Sequence, residues 1–445
     1  MSASPVPTPP PSPATAQSSR PGRKRIWIAL LVLVALGVTA VFAGVPWCQS
    51  RALQAMRLGR FDTAERWLNR AGWLGPRDSR TELLRARLDR KRGQFEAMHK
   101  HLRDAAAIGY PPSLVAAEQL LAELQSGGLP SVDPRVANLF VRAEIEGDTL
   151  AEAYVLGCLR KYEFPPALTL LDSWETDFPK DPRPNFLRGR ILEHTSAESQ
   201  AKEEYRRASI KAGGVFAPAE YSLARIAFDG GDAETALVHS RRCAEGLDVP
   251  AAARLGEAAA LRHLERFAEA DQILAPLESQ DRDALAQQLV QLGQTAEAAA
   301  VAYEAERGRV AAGLERNEEA ERWLKTALDG NPHDWKLRYV YARTLSRLGR
   351  TAEAKADFER VEETEKAVAD CDHYLERIRK NPADVEARYE LGRIFAQYIS
   401  ERQAEAWLTG VLQYDPQHAG AQALLKSLRA PNAKGPERKS GDTDR

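Results

Sequence analysis

The sequence predicts an all-α solenoid, a serial stack of about ten helix hairpins, preceded by one transmembrane helix. Two observations lead to this prediction. A pattern of small and apolar residues recurs every 34 residues, and one run of twenty residues near the start carries no charge. With 445 residues, of which 44% are hydrophobic, the chain is long enough to bury a large core.

The charge balance and the cysteine spacing exclude several classes of protein. Lys and Arg total 62 against 63 Asp and Glu, a net charge of −1, whereas a general nucleic-acid binder normally carries a strongly basic face. The cysteines form no Cys-x-x-Cys pair, which argues against zinc ribbons, haem attachment and thioredoxin-type redox motifs. The four cysteines are Cys48, Cys158, Cys243 and Cys371.

The first 45 residues predict a tail and a membrane anchor. Residues 1–25 are rich in Pro and Ser and lack aromatics, as expected of a disordered tail. Residues 26–45 carry no charge, and at 1.5 Å per residue they span about 30 Å, one hydrocarbon thickness. The basic residues 23–25 directly before this run favour a cytoplasmic N-terminus and an extracytoplasmic solenoid, periplasmic in a bacterium. A cleaved signal peptide ending at 41–43 is the alternative.

The repeated pattern is clearest in two successive units. Small residues lie where two helices would approach closely, and larger apolar residues follow one turn later. The first unit carries Gly59, Phe61, Ala64, Leu68 and Ala71, and the second carries Gly93, Phe95, Met98, Leu102 and Ala105. The same spacing returns in the C-terminal half in Ala320, Leu324 and Ala327, and in Ala404, Leu408 and Val411.

This pattern resembles the tetratricopeptide repeat family, and Leu391-Gly392 matches the Leu-Gly pair in the first helix of its repeat. The resemblance covers about residues 46–418 and implies a right-handed solenoid with a concave groove. Residues 46–428 are then the solenoid with a closing helix, and residues 429–445 a disordered polar tail. In this frame, units begin near 45, 79, 148, 182, 217, 251, 301, 335 and 385, with a degenerate unit over 113–147 and helical spacers near 284–292 and 369–380.

No catalytic or ligand-binding signature is present. The chain lacks GxxxxGK[ST], GxSxG, HExxH, GxGxxG and EF-hand spacings. His99 and His101 are two residues apart on a predicted helix, so they point in different directions and do not easily share a metal. We therefore expect no enzymatic activity, cofactor, metal or small-molecule substrate. An enzyme with a site hidden in the spacers is the alternative.

One row of residues is a candidate binding surface. In the tetratricopeptide family, positions 5 and 9 of the first helix line the groove, and here they combine aromatic residues with arginines one turn later. The aromatic members are Phe186, Tyr221, Tyr339 and Tyr389, and the arginines are Arg87, Arg190, Arg225, Arg309, Arg343 and Arg393. Such residues favour a peptide that carries carboxylates. Alternatively, the same pairs brace adjacent helices.

Together these features predict a membrane-tethered scaffold that binds partner proteins or peptides, without catalysis and without nucleic acid. An envelope assembly factor or co-chaperone that binds many clients through the same groove is the alternative.

Overall fold

The computed structural model describes residues 44–429, except 76, 130–132, 143–144, 162, 196, 248–249 and 382. Every regular element in this part of the chain is helical. The predicted tail over 1–25 and the apolar run over 26–45, apart from its last two residues, lie outside the described residues, as does nearly all of the tail over 429–445. Among the helices that the structure describes, none is both long and apolar enough to cross a membrane.

Most of the described helices form ten consecutive hairpin pairs, and the all-helical solenoid is confirmed for this part of the chain. The N-terminal pairs are α1 (44–57) with α2 (Phe61–Leu74), α3 (Ser79–Arg92) with α4 (Phe95–Ala107), α7 (Gly147–Lys161) with α8 (Phe164–Asp177), and α9 (Arg183–His194) with α10 (Glu198–Lys211). Between the second and third of these pairs, α5 (Pro112–Gln125) packs against α7 rather than against α6 (Pro134–Arg142), and α6 also contacts α7. The remaining pairs are α11 (Ala217–Asp229) with α12 (Ala233–Gly246), α13 (Ala251–His263) with α14 (Phe267–Leu274), α15 (Arg282–Gln291) with α16 (Ala296–Ala300), α17 (Ala302–Gly313) with α18 (Asn317–Gly330), α19 (Trp335–Arg347) with α20 (Thr351–Lys380), and α21 (Val385–Ile394) with α22 (Glu401–Tyr414). The final helix is α23 (Ala419–Arg429).

The two segments expected as spacers have different structures. The first is a short hairpin of its own, α15 with α16, which packs against α13. The second is continuous with α20, which runs for 30 residues because neither Gly nor Pro interrupts it between Thr351 and Lys380. Helix α20 therefore pairs with α19 and then also packs against α21.

Glycines allow the two helices of a hairpin to approach closely, as the repeated pattern predicts. A Cβ atom on Gly189 would lie 2.6 Å from the ring of Tyr205, and one on Gly392 would lie 2.7 Å from Leu408. Both partners are fully buried. The large residue thus fills the space that the glycine leaves within its own hairpin.

Aspartates begin several first helices. The side chain of Asp334 accepts a hydrogen bond from the Leu337 N–H at 2.8 Å, and Asp384 accepts one from the Ala387 N–H at 2.9 Å. An aspartate at this position satisfies an otherwise unpaired N–H of the first turn. These caps set where α19 and α21 start.

A polar pair 19 residues apart braces several hairpins, joining the first turn of the first helix to the second helix. The pairs are Glu82 with His101 at 2.7 Å, Asn185 with Glu204 at 2.6 Å, Glu220 with His239 at 2.7 Å, and Arg338 with Asp357 at 2.8 Å. The same two positions of several repeats, 19 residues apart, therefore carry complementary polar groups. The apolar pattern of the sequence does not reveal this regularity.

Distant parts of the solenoid also touch. The Gln94 side chain donates to Gln287 at 3.0 Å across 193 residues, which joins the loop before α4 to α15. A cavity of about 240 Å³ lies beside this contact, between the first hairpin and α15. The chain therefore curves far enough for its first two hairpins to contact α15.

Candidate functional site

The aromatic and arginine row lies on first helices, from α3 to α21, but its members have different surroundings. Arg87 is only 6% exposed, with Nε 2.5 Å from Glu118 and Nη1 2.7 Å from Glu146. Phe186 is also buried, with its ring centre 5.8 Å from that of Tyr205. Arg87 and Phe186 therefore pack inside the solenoid, as the bracing alternative describes.

Arg87 lies next to a buried ionic cluster that joins several helices. Glu152 of α7 accepts hydrogen bonds from Lys91 of α3 and, at 2.7 Å, from Arg183 of α9. Arg183 also binds Asp148 and Asp181, both at 2.6 Å. Burial would raise the pKa of Glu152, but Lys91 and Arg183 outweigh it and lower this pKa to about 2. Burial lowers the pKa of Lys91 to about 8, against the opposing effect of Glu152.

Three further arginines of the row have carboxylate partners. Arg225 pairs with Glu193 of the preceding hairpin, and Arg309 pairs at 3.2 Å with Asp334, which caps the next first helix. Arg393 pairs at 2.8 Å with a glutamate of its own helix. These side chains already have the contacts that a ligand carboxylate would make.

Two tyrosines of the row contact neighbouring hairpins. Tyr221 accepts a hydrogen bond from Gln294, in the turn between α15 and α16, and burial raises its pKa despite this bond. Tyr389 lies with its ring centre 4.7 Å from that of His418, directly before α23. Both rings are half-buried between helices.

The pair formed by Tyr339 and Arg343 is exposed to solvent. Tyr339 is 45% exposed, its ring edge meets Phe358 at a centroid distance of 5.7 Å, and the guanidinium of Arg343 lies 6.0 Å from its ring centre. Arg343 is exposed and makes no hydrogen bond or ion pair with any described residue. This pair can therefore offer both an aromatic face and a cation to a ligand.

Arg190 lies in a group of cations that the row alone does not predict. It is half-buried and has no ion pair with the residues that the structure describes. Burial lowers its pKa against the opposing effects of Tyr205 and Glu193, and Arg225 lowers this pKa further. Partial desolvation by neighbouring groups lowers the pKa of Arg160, and repulsion from Arg402 and Arg190 lowers it further. We call Arg160, Arg190 and Arg402 the basic cluster.

The basic cluster joins the middle of the solenoid to its C-terminal end, since Arg160 lies in the last turn of α7, Arg190 on α9 and Arg402 in the first turn of α22. Arg160 and Arg402 are exposed, and neither pairs with a carboxylate within the described ranges. Arg160 occupies position 13 of the unit that begins near 148, so the repeat frame could have identified it. No feature of the sequence places Arg402 near it.

One group of described side chains could hold a metal ion, although the sequence predicts none. Ligand atoms of Glu82, His101 and Asp104 lie within 4.8 Å of one another. The sequence does not indicate this group, because Glu82 lies on α3 whereas His101 and Asp104 lie on α4. The four cysteines are buried and free.

Comparison with known proteins supports the resemblance to the tetratricopeptide repeat. Residues 336–378, which cover nearly all of α19 and most of α20, match the model of that family. This is the hairpin that carries Tyr339 and Arg343. No curated protein matches the chain.

Several solved structures are similar in their helical arrangement. The Cut9–Hcn1 hetero-tetramer of the APC/C is 13% identical over 87% of this chain and 76% of that chain, with a TM-score of 0.42. A tetratricopeptide repeat protein from Parabacteroides merdae is 15% identical over 67% of this chain and 97% of that chain, with a TM-score of 0.29. The human IFIT1 dimer is 13% identical over 85% and 89%, with a TM-score of 0.39. All three scores lie below 0.5, so they carry no argument about ligands.

Proposed function

We propose that this protein is a non-enzymatic scaffold that binds an acidic segment of a partner protein through first-helix residues of its solenoid. The observation that supports this is the unequal pairing of the arginine row. Arg87, Arg225, Arg309 and Arg393 have carboxylate partners, whereas Arg190 and Arg343 have none among the described residues.

The chemistry of the basic cluster favours a carboxylate ligand. Arg402 and Arg190 both repel the charge of Arg160, and a carboxylate bound beside Arg160 would relieve this repulsion. Each guanidinium can form two parallel hydrogen bonds to a carboxylate. A segment with several Asp or Glu residues therefore fits this surface better than a neutral one.

The second open position suits an aromatic or apolar side chain of the same segment. Tyr339 is half exposed beside Arg343, and tyrosine and arginine are enriched among residues that dominate binding energies. The family match at residues 336–378 supports this assignment, because the tetratricopeptide repeat is an interaction module.

A membrane anchor over residues 26–45 and an extracytoplasmic solenoid belong to the same proposal. They are supported by the uncharged run and the basic residues before it. An anchored scaffold of this kind would hold its partner close to the membrane surface.

Peptide binding to the full chain tests the proposal. Labelled peptides that contain several glutamates are compared with peptides in which glutamine replaces each glutamate, with fluorescence anisotropy as the readout. We expect tighter binding of the acidic peptides, and a loss of about 1–3 kcal/mol for each of Arg190→Gln and Arg343→Gln.

Arg207→Gln is the matched control, because Arg207 is an exposed arginine that pairs with Glu203 on a second helix. The Arg207→Gln variant should bind the acidic peptides with the affinity of the wild type. Equal binding of acidic and neutral peptides, or unchanged affinity in both test variants, would contradict the proposal.

A further inference from the structure

Three carboxylates surround one imidazole between α3 and α4. The Nδ1 atom of His101 lies 2.7 Å from Oε2 of Glu82, and its Nε2 atom lies 3.8 Å from Oδ2 of Asp89. The carboxylate of Asp104, one turn beyond His101, lies within 4.8 Å of the ligand atoms of Glu82 and His101. The histidine therefore has negative groups at both ring nitrogens.

Two of these carboxylates accept no hydrogen bond from the described residues. Asp89 is only 8% exposed, and its Oδ2 atom accepts no hydrogen bond although it faces His101. The carboxylate of Asp104 makes no hydrogen bond or ion pair with any residue in the described ranges. A buried carboxylate oxygen without a partner is costly, so its retention calls for an explanation.

The chain contains a comparison that separates bracing from a further role. Glu220 and His239 form the same pair at the same positions of another hairpin, also at 2.7 Å. There Arg242 stands where Asp104 stands here, and it pairs with Glu220 at 3.1 Å. Ala227 takes the place of Asp89. A bracing Glu–His pair therefore needs neither of the two additional carboxylates.

Neighbouring cations do not form ion pairs with the excess carboxylates around His101. Arg92 favours the charged form of Asp89, but its guanidinium pairs with Asp62 at 2.8 Å and Glu65 at 2.9 Å. Arg85 also acts on Asp89, while its Nη2 atom donates to the backbone carbonyl of Leu68 at 3.3 Å. Neither arginine forms an ion pair with the carboxylates around His101.

We propose that Glu82, His101 and Asp104 form a binding site for a divalent transition-metal ion of the zinc type, and that Asp89 orients the histidine. One imidazole nitrogen and two carboxylate oxygens are ligands that Zn²⁺ accepts, with water in the fourth position. Harder ions such as Mg²⁺ prefer oxygen ligands alone.

The geometry requires only small movements. Ligands at about 2.1 Å from a tetrahedral ion lie about 3.4 Å apart, so Glu82 and His101 must separate slightly and Asp104 must approach. Nδ1 would then bind the ion, and the ring proton would reside on Nε2, facing Asp89. A carboxylate at the second nitrogen commonly fixes the tautomer of a metal-bound histidine.

Zinc titration of the full chain by isothermal calorimetry, after treatment with a chelator, tests this proposal. We expect one tight equivalent of Zn²⁺, little competition by millimolar Mg²⁺, and a rise in the thermal midpoint of unfolding. Asp104→Asn should weaken Zn²⁺ binding at least tenfold, and Asp89→Asn by about 10–100-fold. Asp104→Asn is the decisive variant because the Asp104 side chain makes no hydrogen bond or ion pair in the described structure that the substitution would break.

His99→Ala and His239→Ala are the matched controls. His99 is an exposed histidine on the same helix, and His239 belongs to the bracing pair that lacks extra carboxylates. Both should keep wild-type affinity, whereas His101→Ala should lose it. The proposal is wrong if no saturable equivalent binds, if Asp104→Asn binds like the wild type, or if His99→Ala weakens binding as much as His101→Ala.

Discussion

Replacing Glu152 with glutamine should reduce the free energy of unfolding by about 3 kcal/mol. Breaking a buried ion pair by removing one partner typically costs about 3–5 kcal/mol, because the other charge stays buried and unpaired. The side chains of Lys91 and Arg183 are only 9% and 6% exposed. Arg183 keeps Asp148 and Asp181, so the loss falls mainly on Lys91, and we expect the lower end of that range.

The assay combines urea denaturation, followed by circular dichroism, with hydrogen exchange. Stacked hairpins can unfold in parts, so a single transition does not identify where stability is lost. Exchange should accelerate first in α3, α7 and α9, which the ionic cluster joins.

Two further variants separate lost charge pairing from general damage. Glu65→Gln removes a half-exposed carboxylate whose partner Arg92 keeps Asp62, and it should change stability by less than about 1 kcal/mol. The double variant Glu152→Gln/Lys91→Met removes both the acceptor and the buried cation, and should recover much of the loss. A single variant as stable as the wild type, or a double variant no better than the single one, would refute the reasoning.

Two other predictions concern acid stability and close helix packing. The pKa of Glu152 is about 2 in the folded chain against an ordinary value of 4.5, so its stabilising effect is complete above pH 4.5 and is lost as the pH falls through 2. The difference in unfolding free energy between the wild type and Glu152→Gln, measured by urea denaturation, should therefore shrink as the pH is lowered from 6 to 2.5, by up to about 3 kcal/mol; a constant difference would contradict this. Gly157→Ala should destabilise the chain by about 1–3 kcal/mol in thermal unfolding, since its Cβ would lie 2.2 Å from the carbonyl oxygen of Leu124. Gly72→Ala, at an exposed helical site where only the end of Arg85 comes near, should be neutral or stabilising by up to about 1 kcal/mol, and equal effects of the two substitutions would disprove the packing argument.

The hairpin pattern was predictable because it depends on local spacing. The glycines and the large residues one helix later, such as Gly189 with Tyr205, record the close approach of two neighbouring helices directly in the sequence. The α15–α16 hairpin was not predicted as a unit, since α16 has only five residues and is too short to show a period. The length of α20 was not predicted either, because the repeat frame assumes a second helix of ordinary length.

The candidate site was predictable only in part. The repeat frame placed ten residues on first helices, but it could not tell which would find partners. Arg87 meets Glu118 and Glu146 from other hairpins, while Arg343 meets no carboxylate in the described structure. The partner of a side chain depends on what the neighbouring helices present, and that information is not periodic.

The sequence by itself determined that the chain folds into stacked helix hairpins, because apolar stripes that repeat at constant spacing can be buried only against neighbouring units. Only the tertiary structure decided which charges neutralise one another. It paired Glu152 with Lys91 and Arg183, left the basic cluster without an ion pair in the part of the chain that the structure describes, and placed three acidic groups around His101. Electrostatic interactions act through space between residues far apart in the chain, so their outcome depends on distances that the fold sets.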